Sequence, residues 1–236
     1  YKPDGHTSGK GLIGDTIFLD RDGDNAFDPG EGLQGVTVRL YAADGTTLLT
    51  TTVTDANGKY WFGNLDDATY VVRVATSTLP NGGTGLSNTL DPDTATPGDS
   101  QSTTTISGGN INRLQDFGYA ADAPNTIGGT VWEDRNADGT LTDGSGGTTN
   151  ETGNGIAGVT VVLRNADGNI VATATTDGDG DYSFTGLPDG TYTVDVTDAA
   201  NLLNGAWHSD GPNDGTDNNS QNDLYTVTVA NGQTNT

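Results

Sequence analysis

The chain has 236 residues, enough for two domains of average size. Its 32 acidic residues against 9 basic ones give a formal charge of −23, which excludes nucleic acid and anionic membrane as partners, because both select Lys/Arg clusters, and suits divalent cations. With no Cys there are neither disulfides nor thiolate metal sites, and no apolar run reaches the length of a membrane span or a signal-peptide core.

Residues 1–10 read as a leading tail; beginning at Tyr1 instead of Met, the chain reads as a fragment or a mature piece. Short alternating hydrophobic runs then predict strands near 12–19, 36–42, 47–54, 60–65, 69–76, 101–106 and 111–119. Val36, Val38 and Leu40, alternating with Thr37, Arg39 and Tyr41, carry the period of two that half-buried strands require. Turns fall at Asp44-Gly45 and Asn57-Gly58, pairs that tolerate left-handed backbone. Seven short strands with no helical periodicity predict a β-sandwich over residues 11–120.

The acidic stretch DRDGDNAFDPGE follows the first strand. Counted from Asp20, side-chain oxygens fall at positions 1 (Asp20), 3 (Asp22), 5 (Asp24), 9 (Asp28) and 12 (Glu31), and Ala26 at position 7 can offer its carbonyl. That is the ligand spacing of a helix–loop–helix calcium loop, on a scaffold with no helices. Ca²⁺ takes six to eight hard oxygens, and its charge would offset the repulsion of five clustered carboxylates. The glycine stands at position 4 (Gly23) instead of 6. A solvated loop of turn-forming Asp and Gly is the plain alternative.

After a linker, 121–126, the whole pattern recurs over 127–236. IGDTIFLDRDGD answers to IGGTVWEDRNADG, GVTVRLYAADG to GVTVVLRNADG, and TDANGKYWFGNLDDATYVV to TDGDGDYSFTGLPDGTYTV. The spacing between copies breaks at the acidic loop, where the second copy carries an insertion. There Asp134, Asn136 and Asp138 repeat positions 1, 3 and 5, Thr140 would supply the carbonyl, and Asp143 and Glu151 are candidates for the displaced ligands. DFGY at Asp116–Tyr119 has no counterpart before Thr236, so the closing strand of the second copy is expected to be largely absent. Further acidic groups that could hold a cation are Asp91 and Asp93, Asp210, Asp214 and Asp217, and the run Asp177, Asp179, Asp181.

Together these motifs resemble the B-repeats of serine–aspartate repeat surface adhesins, relatives of the collagen-adhesin B-type domains. The resemblance covers nearly the whole chain in two copies. It implies two tandem Ig-like, prealbumin-like β-sandwiches, each with calcium in the loop after its first strand and often a second ion. It also implies a non-enzymatic stalk module in tandem arrays on a bacterial surface; a subunit of a secreted filament or biofilm-matrix fibre shares the same sequence features and is the alternative. Partners would be neighbouring modules or neighbouring copies of the chain, with host or glycan ligands met through other domains.

Three other readings stand beside the stalk. His6 and His208 cannot assemble a Ser/His/Asp group or a His-based metal site, which argues against an enzyme. Trp61, Trp132 and Trp207 would stack on sugars if exposed, which keeps a carbohydrate-binding module as an alternative, as is a filament subunit joined by strand addition.

Overall fold

The computed structural model describes residues 6–93, 98–135, 141, 151–203 and 224–236. The chain divides into two compact units, Tyr1–Pro124 and Asn125–Thr236. Both are all-β; among the described residues there is no α-helix, only two short 3-10 turns.

The first unit holds β1 (Gly11–Leu19), β2 (Thr37–Ala42), β3 (Leu48–Val53), β4 (Lys59–Leu65), β5 (Ala68–Val74), β6 (Leu86–Leu90), β7 (Gln101–Ile106), β8 (Ile111–Asn112) and β9 (Phe117–Ala121). One sheet runs β4-β1-β9-β6, with β8 also on β1; the other runs β3-β2-β5-β7. Pairing is antiparallel except where β8 and β9 lie parallel to β1. Ile13, Ile17, Tyr60, Phe62 and Phe117 from the first sheet meet Val38, Leu40, Val72 and Ile106 from the second in one core. Each such side chain contributes about 1.5–3 kcal/mol by leaving water.

The second unit repeats this plan with β10 (Asn125–Thr130), β11 (Thr160–Asn165), β12 (Ile170–Thr175), β13 (Asp181–Leu187), β14 (Gly190–Val196), β15 (Tyr225–Val229) and β16 (Thr234–Asn235). Its sheets run β13-β10-β16 and β12-β11-β14-β15, closing on Ile127, Leu163, Phe184, Val194 and Val227. β16 lies parallel to β10 as β8 does to β1, so among the described residues nothing corresponds to β6 or β9.

Three expectations change. The strand expected over 111–119 is two strands, because the chain leaves β1 at Arg113–Asp116, where Gln115 accepts a hydrogen bond from the Tyr60 hydroxyl at 2.7 Å. The stretch read as loop before β7 contains β6, whose alternation is broken by a bulge between Asn88 and Leu90. Strands β9 and β10 also take up Ala121, Asn125 and Thr126, leaving Asp122–Pro124 between them.

A glycine crossing fixes the exit of the acidic loop. Gly58, at φ +73°, lies in the turn before β4; a Cβ there would collide with the Ile17 carbonyl and Gly32. Gly180 crosses Gly155 in the same way in the second unit.

Candidate metal centre

β1 is buried along nearly its whole length and runs straight into the acidic loop. The Asp20 amide donates to the Tyr119 carbonyl at 2.7 Å, extending the β1–β9 ladder by one residue. The carboxylates then wind the loop about themselves. Asp20 Oδ1 accepts from the Gly23 amide at 2.8 Å and Oδ2 from Asn25 at 3.2 Å. Asp22 accepts from the Asp24 amide at 3.2 Å, and Asp24 from Ala26 at 2.7 Å. Gly23 (φ +80°) and Asn25 (φ +60°) take the left-handed conformations this winding needs, which Gly and Asn supply at least cost. The outcome is convergence: carboxylate oxygens of Asp20, Asp22 and Asp24 lie within 4.8 Å of one another, the one such acidic group among the described residues.

Ala26 and Asp28 are exposed, and Glu31 closes the loop from within. Glu31 is 4% exposed; Oε1 accepts from the Arg21 amide at 2.9 Å and Oε2 from Asp28 at 3.0 Å. Burial pushes its carboxyl above the ordinary range, with Arg21 and Asp28 amides opposing. Its main-chain carbonyl accepts from Leu19 at 2.9 Å, so both ends of the loop are tied. Phe27 lies over the sheet, 5.8 Å edge-on from Phe18 and 4.9 Å below the Lys59 ammonium.

The donor set fits a hard divalent ion. Asp20 is only 2% exposed, and no described cation pairs with it, Asp22 or Asp24. Two carboxylates about 5 Å apart repel by about 0.8 kcal/mol in water and by more where water is excluded.

In the second unit Asp134 is half-buried, while Asn136, Asp138, Thr140 and Asp143 lie outside the described residues. Glu151, fully buried, accepts from the Arg135 amide at 2.7 Å, the bond Glu31 makes to Arg21. Its other oxygen is buried with no hydrogen-bond partner among the described residues. The backbone tie is made by a different residue: Glu133 donates to the Asn154 carbonyl at 2.9 Å, as Leu19 does to Glu31. Here the closing acid stands three residues before the closing carbonyl, and in the first unit one residue does both.

The other acidic groups have different surroundings. Asp177 accepts from the Asp179 and Asp181 amides at 2.9 and 3.0 Å, the hairpin-turn role that Asp55 plays for Asn57 and Lys59. Asp91 accepts from the Asp93 amide at 3.4 Å, and Asp93 from Thr103 at 2.8 Å. Burial first, then Asp99 and Asp93, pushes the Asp91 carboxyl up to about 6. Asp210, Asp214 and Asp217 lie outside the described residues, as does Trp207. Trp61 is half-buried beneath the Arg113 guanidinium, 5.4 Å away. Sequence reasoning passed over Thr89, which reaches Asp20 from β6, and the Arg21 and Arg135 amides; the repeated Asp-Arg pair was the visible trace of the latter.

The profile of the SdrD B-like domain matches residues 11–119 and again 125–236. The chain belongs to the SdrD B-like domain family. Serine-aspartate repeat-containing protein D of Staphylococcus aureus (strain Newman) is 38% identical over 196 residues, covering 83% of this chain and 14% of its own length. Serine-aspartate repeat-containing protein F of Staphylococcus epidermidis is 36% identical over 184 residues, 78% of this chain and 10% of its own. This SdrD B-like chain thus spans a small part of those relatives. Among solved structures, the Bacillus anthracis TIE protein aligns over 95% of this chain and 33% of its own with TM-score 0.37 and 17% identity. GBS52, the minor pilin of Streptococcus agalactiae, aligns over 95% and 92% with TM-score 0.30 and 14% identity.

Proposed function

We propose that each SdrD B-like unit is a calcium-stabilised spacer of a bacterial cell-surface adhesin, outside the cell and without catalytic chemistry. The observation that carries this reading is the convergence of Asp20, Asp22 and Asp24 in a loop tied at both ends to the sandwich. Ala26, Asp28 and Glu31 are the further donors in the first unit; Asp134, Asn136, Asp138, Thr140, Asp143 and Glu151 form the set in the second. A bound Ca²⁺ supplies two positive charges that turn mutual repulsion into cohesion. The chain's own residues orient the carboxylates through backbone amides and keep Asp20 from water. Two tandem copies and the kinship with serine-aspartate repeat proteins support a role in an array, with neighbouring units as partners.

The test is thermal unfolding in millimolar Ca²⁺ and in EDTA. At 100-fold excess over Kd one site adds about 2.7 kcal/mol, worth about 4–8 °C per kcal/mol in a domain of this size. Calcium is expected to raise the melting temperature by more than about 10 °C. Superimposable melts would remove the reading.

A further inference from the structure

We propose that Thr89 is a positioning residue for the loop-one cation: its hydroxyl fixes the orientation of the Asp20 carboxylate from outside the loop. This rests on the calcium reading above. The argument begins with the bulge in β6. Asn88 opposes Tyr119 and Leu90 opposes Gly118, so Thr89 is an extra residue facing no partner on β9. A bulge of this kind re-aims the side chain it carries. Here the Thr89 hydroxyl donates to Asp20 Oδ2 at 3.2 Å, across a sequence separation of 69 residues.

The bulge is held rigidly enough to aim. Asn88 Nδ2 donates to the Leu90 and Gly118 carbonyls, each at 2.8 Å, and Asn88 Oδ1 accepts from the Ser100 amide at 3.1 Å. Asp20 is anchored to the same strand pair by its amide on Tyr119. Among the described residues, the other hydrogen bonds that its carboxylate accepts come from within the loop, from Gly23 and Asn25. Thr89 is therefore the link by which β6 and β9 set the angle of the first carboxylate. A ligand already held at the right angle loses less freedom on binding. Partners of this outer kind are typically worth about 10–100-fold in metal affinity.

The experiment is calorimetric Ca²⁺ titration of the full chain as wild type, Thr89→Val, Thr89→Ser and the double variant Asp22→Ala/Asp24→Ala, with melts in EDTA alongside. Thr89→Val keeps the shape and removes the hydroxyl. It is expected to weaken one class of sites about tenfold and leave the second unit's binding unchanged, while the EDTA melt stays put. Thr89→Ser, which keeps the hydroxyl, is expected to bind like wild type. Equal affinity in Thr89→Val and wild type would overturn the proposal, as would equal weakening by Val and Ser or a loss confined to the EDTA melt. The double variant separates the two readings. If it binds as many ions as wild type, the loop is not a calcium site; if it loses one and Thr89→Val does not weaken binding, only the role of Thr89 falls.

Discussion

Single residues in this protein divide into those that shape the loop and those that would bind within it. Asp22 and Asp24 are exposed, and their substitution leaves the sandwich untouched, so Asp22→Ala/Asp24→Ala should bind one Ca²⁺ fewer in native mass spectrometry and still fold. Gly58 belongs to the shaping group. At φ +73°, with the Ile17 carbonyl and Gly32 against the position a Cβ would take, Gly58→Ala meets both backbone strain and collision. It should cost about 3 kcal/mol or more in urea unfolding of the first unit. Gly45 has a similar φ, +64°, but open space around it. Gly45→Ala should cost only about 1–2 kcal/mol, the left-handed penalty alone. Equal losses at the two positions would mean that the crossing of Gly58 and Gly32 contributes nothing.

Strands and their connections show how far the sequence could be read. β2, β4 and β5 were legible because Val38-Leu40, Tyr60-Phe62 and Tyr70-Val72-Val74 recur at every second position and face the core. β6 was not, because the extra residue at Thr89 breaks the period of two, and the strand it pairs with, β9, lies about thirty residues away. The three-carboxylate group was legible as spacing, since Asp20, Asp22 and Asp24 stand at every second position, and the last two each accept from the amide two residues on. What spacing could not give was the division of labour at Glu31, whose oxygens both hold backbone amides. The break between β8 and β9 carries its own prediction. Asp116 there accepts from the Thr16 amide at 2.9 Å, and burial, then the charge of Asp15, raises its pKa. A carboxyl raised in the folded state holds its proton longer folded than unfolded. Its contribution therefore favours folding at low pH and is lost as pH rises through the raised value. In EDTA, Asp116→Asn should gain on wild type as pH climbs from the unfolded-state value near 4 towards neutrality. A difference that is flat with pH would mean Asp116 ionises as freely folded as unfolded.

At the scale of the whole molecule, a charge of −23 on 236 residues sets stability against self-repulsion. In EDTA, raising NaCl from about 0.02 M to 0.5 M shortens the screening length from about 20 Å to under 5 Å and should raise the melting temperature steadily. In saturating calcium the same change should do much less under the proposed function, because bound Ca²⁺ would already neutralise the densest carboxylate groups. An equal response in both buffers would place the repulsion elsewhere on the surface. The tie between the first strand and the end of its acidic loop is the same bond in both units, Leu19 to Glu31 and Glu133 to Asn154, each 2.9 Å. What lies between differs in length and in which residue supplies the closing acid. Matched ends around unmatched contents make the loop a replaceable cassette. The twelve residues of the first unit could be spliced between Glu133 and Gly155 with both ends still tied, while the contacts of Asp20 with Thr89 and Tyr119 would stay behind, so the transplant separates what the loop supplies to affinity from what its sandwich supplies.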